Sequence, residues 1–291
     1  MMHSVHFQNM ALFWVLVGPN RAVLPLPSKA THEYSVYSLR NSTLSVPPFL
    51  TQKDQANPSI ERAETIFRKS LQAYGGEARI LSVKDATYEY VVDDMENSTT
   101  KPIRVKTYFK SESYFRSEVN GDNLDAVTIQ NGEKGWVKVG DTTLTLTRKE
   151  IDPLKTEMIA QLRPDLLLLS FPKRRYSGQA QENNRILDQV EISGFIGGEY
   201  VRGRLSFDAN TDLVYKYEFE IERDSSKGKG IVKGEEKYLQ YREANGFKFP
   251  IEIISKQGRK VSKLTVGQVD FTSVLNENLF RDPGPPPATT K

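Results

Sequence analysis

The sequence predicts a mainly β protein with a smaller α component, built around one large antiparallel meander. Three observations predict it. From Gly197 to Phe271 apolar and polar residues alternate with a period of two, as in Leu213, Tyr215, Tyr217, Phe219 and Ile221 against Lys216, Glu218, Glu220 and Glu222. Turn dipeptides, among them Asn120-Gly121, Asn131-Gly132 and Asn245-Gly246, separate consecutive runs, and Asn-Gly between alternating runs signals a hairpin. Helical spacing is confined to one segment before the meander and one block in its middle.

Taken in order, residues 1–30 hold a short apolar run, Met10 to Val17, broken by Gly18-Pro19. The run is too short to span a bilayer. It reads either as the core of an export signal, without the usual preceding Lys or Arg, or as an apolar patch in a tail. Residues 31–57 are rich in Ser, Pro and Gln and read as a disordered linker. The folded domain is expected over residues 58–283, with residues 284–291 as a Pro-rich tail.

Asn57 and Pro58 suit the N-cap and first turn of a helix carrying Ile60, Ala63, Phe67, Leu71 and Tyr74, which Gly75-Gly76 stops. Period-two strands follow through Ala86–Val92, Ile103–Lys110 and Tyr114–Val119, then around Ile129, Trp136 and Leu144. Lys149 to Phe171 forms the second helical block, divided by Pro153 and Pro164 and ending in Leu166-Leu167-Leu168-Leu169. Strands resume at Tyr176, and about eleven strands in one sheet are expected overall.

Composition narrows the function classes. A net charge of +3, with interspersed signs, gives no basis for nucleic-acid binding. The chain has no cysteine, and its three histidines, His3, His6 and His32, precede the folded part. Thiol chemistry, a Ser-His-Asp triad and a histidine-ligated metal are therefore excluded from the domain. No cofactor or metal is expected. Asp93-Asp94 point to opposite faces of a strand, and Asp208 and Asp212 suit turn capping, so a carboxylate-based hydrolase has little support.

The motifs Ala73-Tyr74-Gly75-Gly76, Asn131-Gly132-Glu133-Lys134-Gly135-Trp136, Leu205-Ser206-Phe207-Asp208-Ala209-Asn210-Thr211-Asp212-Leu213 and Tyr241-Arg242-Glu243-Ala244-Asn245-Gly246-Phe247-Lys248-Phe249-Pro250, in this order, resemble the LolA-like carriers and the outer-membrane lipoprotein-sorting-protein-like domains. The resemblance implies an open half-barrel covered by an N-terminal helix and a mid-chain helical plug. It implies a periplasmic or cell-envelope carrier that holds acyl chains of lipids or lipoproteins, is not an enzyme, acts as a monomer without a transmembrane segment, and meets envelope transport proteins. Carriers of this type place an Arg four residues before a rim Phe. If Phe115 matches that Phe, the Arg position holds Ser111, beside Lys110.

An acyl carrier needs a dry cavity, because each buried methylene gains roughly 0.8 kcal/mol. The candidate lining is Tyr88, Tyr90, Val105, Phe109, Phe115, Trp136, Tyr217, Phe219, Phe249 and Ile251, with Leu166, Leu168 and Leu169 in the cover. The same residues equally suit a filled core between sheet and helices. Trp136 fits either a cavity mouth or a cross-strand anchor. A sensor or interaction module of the envelope is the alternative function.

Overall fold

The computed structural model describes residues 57–284 apart from 98–100, 111–113, 122–123, 148–149, 152–157, 197–198 and 226–227. The expected signal, most of the linker, Ser111 and nearly all of the tail lie outside the described residues.

Helix α1 spans Pro58–Ala73. Asn57 caps it by accepting from the Ser59 backbone N–H at 3.0 Å, and Pro58 occupies the first turn, where its missing N–H costs nothing. Its buried stripe is Ala63, Ile66, Phe67 and Ser70, continued by Tyr74, while Ile60 is exposed. Gly75 and Gly76 end it with φ of 117° and 94°. At Gly75 a Cβ would lie 2.3 Å from the Gly246 carbonyl oxygen, so the turn tolerates no side chain. The Lys248 N–H donates to the Tyr74 carbonyl at 3.2 Å, and Arg79 of the short helix α2 (Glu77–Ser82) donates to the Asn245 carbonyl. The Gly-Gly stop and the Asn-Gly hairpin thus meet in space.

The chain then lays down β1 (Asp85–Asp94), β2 (Ile103–Lys110), β3 (Tyr114–Gly121), β4 (Leu124–Asn131), β5 (Lys134–Val139) and β6 (Thr142–Leu146) as a meander. After the helical block come β7 (Lys173–Glu182), β8 (Arg185–Ile196), β9 (Glu199–Asp208), β10 (Val214–Ser225), β11 (Gly228–Ala244), β12 (Phe247–Gln257) and β13 (Lys260–Asp270). The second meander runs back toward the first, so that β13 pairs with β1 and the order is β6-β5-β4-β3-β2-β1-β13-β12-β11-β10-β9-β8-β7. One antiparallel sheet of thirteen strands results, with β6 and β7 as its unjoined edges. It is an open half-barrel rather than a closed one.

Crossing from one edge to the other requires a connection over a face of the sheet, and the helical block supplies it. Residues 150–151 and 158–162 are helical, followed by helix α3 (Pro164–Ser170). With α1, the described part of the block at 158–170 packs on the inner face as the main apolar cluster. No helix among the described residues is long and apolar enough to cross a membrane.

Thirteen strands replace the expected eleven or so. Among them β11 is a strand of 17 residues, where the sequence suggested a Gly/Lys loop leading into a shorter strand at Tyr238. Its outward residues face acids on β10, with Lys233 ion-paired to Glu220, and this cross-strand pairing suits a strand despite the glycines. The turn after β9 follows the expectation. The Asp208 carboxylate accepts from the Asn210 N–H at 2.9 Å, and Asp212 adopts φ of 57°.

Candidate functional site: the plugged inner face

Alternation along β1, β2, β3, β10 and β12 turns Tyr88, Tyr90, Val105, Phe115, Tyr217, Phe219 and Phe249 to the inner face, all buried in one cluster. Phe109 and Ile251 pack against the same cluster and are partly buried. Rings connect across strands: Phe115 with Phe109 at 5.5 Å, Phe109 with Tyr88 at 5.9 Å, Tyr88 with Phe271 at 5.8 Å, and Phe271 with Phe249 at 5.6 Å. On the far side Tyr217 stacks on Phe219 at 5.0 Å and meets Phe171 at 6.2 Å. These separations suit favourable tilted and offset ring pairs.

Of the cover, Leu168 is fully buried together with Leu167, while Leu166 and Leu169 are partly buried on the same cluster. Twelve of the thirteen candidate residues therefore converge on one site. Trp136 does not join them, and its placement in the cavity lining is corrected. It stands on the outer face opposite Ile129, in a second cluster with Phe280 and Leu275. The cause is local: Trp136 and Val137 are adjacent apolar residues, only one can face inward, and Val137 does so.

In this state the site is closed. Polar groups of the plug lie among these apolar side chains. Arg163 and Asp165 are 4% and 1% exposed and form a fork, with Nη2 to Oδ2 at 2.7 Å and Nε to Oδ1 at 3.0 Å. The Arg163 guanidinium also lies 5.0 Å over the Phe247 ring. Burial alone would push its pKa down, but the Asp165 carboxylate and the Tyr88 phenol beside it win and raise it, so the guanidinium stays charged. Tyr88 lies near Arg163 without a well-aligned hydrogen bond, and burial pushes its hydroxyl well above the ordinary phenol range.

Further contacts come from tyrosines, from Gln161, which donates to the Ser255 hydroxyl at 3.5 Å, and from a capping arginine. Tyr238 donates its hydroxyl to the Ala160 carbonyl, and Tyr90 donates to the Met158 sulfur at 3.8 Å. Tyr241 donates to the Val214 carbonyl at 2.6 Å, which leaves Tyr74 to donate to Tyr241 at 2.8 Å. Arg174 binds the carbonyls of Leu168 and Phe171 at 3.0 and 2.7 Å, satisfying the end of α3, and its guanidinium covers Phe67 at 4.2 Å.

Sequence reasoning missed Arg163, Asp165, Tyr238 and Tyr241. The one available signal was Arg163-Pro164-Asp165 inside an otherwise apolar block, which was read as a helix boundary only. With phenols held neutral and no nucleophile–base pair in view, the site can hold apolar matter and position a helix.

The comparisons with known proteins follow this geometry. A domain assigned to outer membrane lipoprotein sorting, from Vibrio parahaemolyticus, is similar over 76% of this chain and 96% of that one, at 13% identity and a TM-score of 0.49. A LolA superfamily protein from Nitrosomonas europaea is similar over 76% and 97%, at 12% identity and 0.48. A DUF1329 family protein from Desulfovibrio piger is similar over 75% and 97%, at 10% identity and 0.48. No protein-family model and no curated protein matches the chain.

Proposed function

We propose that this chain is a non-catalytic carrier or binding protein of the cell envelope. It holds acyl chains of lipids or lipoproteins between the inner face of the half-barrel and the helical plug, which moves outward to admit them. One observation carries the reading: the plug covers a continuous aromatic face yet carries within itself a buried ion pair, Arg163–Asp165, two residues apart. In a permanently packed core an apolar pair of similar volume holds as well or better. A charged pair suits an element that leaves the face and meets water.

The magnitudes allow an exchange. Exposing Met158, Leu162, Leu167, Leu168 and Phe171, all buried, costs about 8–15 kcal/mol at about 1.5–3 kcal/mol per side chain. Burying about fifteen methylenes returns about 12 kcal/mol at roughly 0.8 kcal/mol each. An acyl chain can thus replace the plug without an external energy source.

Two measurements test this. Native mass spectrometry of protein purified from an envelope fraction is expected to show acyl-bearing adducts. A fluorescent fatty acid is expected to bind and to be displaced by palmitate, with faster loading in Tyr238→Phe, which loses the hydrogen bond to the Ala160 carbonyl. Absence of adducts together with no probe binding, even in Tyr238→Phe, overturns the proposal.

A further inference from the structure

The outer face of β7 to β12, behind the plugged side of the sheet, carries a cleft of about 850 Å³, within the size range of small-molecule sites. Its walls are charged, and the charges do not balance. Along one row the register sets Glu191 opposite Arg204, Arg204 opposite Glu218, Glu218 opposite Glu235 and Glu235 opposite Lys256. Every acid of the cleft has a cation: Glu191 has Arg175 at 2.6 Å, Glu220 has Arg202 at 2.9 Å and also Lys233, Glu235 has Lys237 at 3.6 Å, and Glu218 has Lys216 at 3.8 Å.

Three cations of the cleft, Lys173, Arg204 and Lys256, have no hydrogen-bond, ion-pair or ring partner among the described residues. Arg204 is central and half-buried, and its Nε is shielded from solvent with no hydrogen bond. A shielded guanidinium nitrogen without an acceptor is unfavourable unless an acceptor arrives. Beside it the Glu218 Oε2 is likewise shielded and lacks a hydrogen bond, its nearest cation being Lys216 at 3.8 Å. The backbone permits the layout at Gly203, where a Cβ would lie 2.0 Å from the Glu218 carbonyl oxygen, so any side chain would force β9 away from β10.

At the same end of the outer face apolar side chains stand in solvent. Tyr200, which lines the cleft, is 38% exposed and meets the 70% exposed Phe195 at 5.3 Å, and Ile231 is 55% exposed. Cations set behind exposed aromatic and aliphatic side chains suit a polar head attached to apolar matter.

We propose that this cleft binds a phosphate ester of headgroup size. The phosphate lies on Arg204 and Lys256, whose donors suit its oxygens, and a hydroxyl or ammonium of the ester faces Glu218. The source is either a membrane headgroup or a soluble phosphate ester. The inference does not rest on the interior acyl site, because the two lie on opposite faces of the sheet.

The test uses the full chain in two arms. One measures co-sedimentation with phosphatidylglycerol vesicles against phosphatidylcholine vesicles. The other titrates glycerol phosphate by calorimetry. Binding is expected in at least one arm and is expected to weaken as salt rises toward about 0.5 M. Arg204→Gln with Lys256→Gln is expected to weaken it about tenfold or more, the weight of a charge-assisted hydrogen bond, at an unchanged melting temperature. Lys256→Gln alone keeps the test open if the double variant folds poorly. A response restricted to phosphatidylglycerol vesicles and reduced by Phe195→Ser with Ile231→Ser assigns the membrane source. A response to glycerol phosphate that ignores those two changes assigns the soluble one. No binding in either arm, or full binding in both Arg204→Gln/Lys256→Gln and Lys256→Gln, overturns the proposal. Palmitate-displaceable fatty-acid binding in Arg204→Gln separates failure here from failure of the interior site.

Discussion

The two faces of one sheet differ most where the strands are the same. On β9 and β10 the inward residues Val201, Leu205, Tyr217 and Ile221 are buried, while Arg202, Arg204, Glu218 and Glu220 stand outward. The inner face is covered by the plug, which meets it through the Tyr238 hydroxyl on the Ala160 carbonyl and Arg163 over the Phe247 ring. Over β2 to β5 the outer face is apolar, and there the C-terminal segment covers it. Phe280 and Leu275 pack on Ile129, Tyr108, Tyr114 and Trp136. Lys110, Arg116 and Asn131 hold the Leu275, Leu279 and Phe280 carbonyls at 2.8, 2.9 and 3.2 Å. Over β7 to β12 the outer face keeps its charges and a cleft. The difference teaches that the chain covers the apolar surface of its inner face and of outer β2 to β5, and leaves unpaired cations beside exposed Phe195, Tyr200 and Ile231.

Breaking the inner seal has the largest expected effect. Arg163→Met leaves the Asp165 carboxylate buried and unpaired, and is expected to cost about 3–5 kcal/mol in denaturant unfolding. Adding Asp165→Leu is expected to restore most of that stability, because the apolar pair no longer strands a charge. A double variant as unstable as the single one would show that the pair matters through geometry rather than charge.

Opening the outer seal comes next. Phe280→Ala removes a fully buried ring and is expected to cost about 3 kcal/mol, read in the same unfolding experiment. If the inner and outer faces are independent, its effect adds to that of Tyr238→Phe, which by itself is expected to cost about 1–2 kcal/mol for the stranded Ala160 carbonyl.

Acid probes the hinge between the two faces. Asp270 ends β13, accepts from the Thr272 N–H at 2.7 Å and from both the Thr272 and Ser273 hydroxyls, and sets the course of the C-terminal segment. The Ser273 and Thr272 donors lower its pKa from 3.8 to about 2. A depressed folded value means this stabilisation is complete above about pH 4 and fades as pH falls through about 2. The group is largely exposed, so the effect is expected to stay under about 1 kcal/mol. Thermal unfolding of Asp270→Asn against the parent is expected to converge over that pH window.

The smallest effect is expected on the open cleft. Arg204→Gln removes no partner, so thermal stability is expected to change by less than about 0.5 kcal/mol. A large loss would mean that Arg204 supports the sheet rather than awaiting a ligand.

Much of the architecture was legible because it is local. The cap at Asn57, the Gly75-Gly76 stop, the Asn245-Gly246 hairpin and the period-two runs each depend on a few neighbouring residues. The extent of β11 was less legible, since its glycines read as loop and only the facing acids of β10 make it a strand. The candidate site was legible as a set of inward residues except where two apolar residues adjoin. Trp136 and Val137 offer both faces an apolar side chain, and the C-terminal segment decides which pattern is outer. Arg204 and Lys256, single charges at alternating strand positions, carried no signal of their own.

By itself, then, the sequence determined which strands form, where they turn, and that no histidine or cysteine chemistry operates in the domain. Only the tertiary structure decided that the inner face is filled by its own plug, that Arg163 and Asp165 pair in the buried interior of that plug, and that Arg204 lacks a partner. The physical reason is range. Turns and alternation are set within a few residues, whereas burial, pairing and desolvation depend on what the chain brings back from as far away as Phe280 on Asn131.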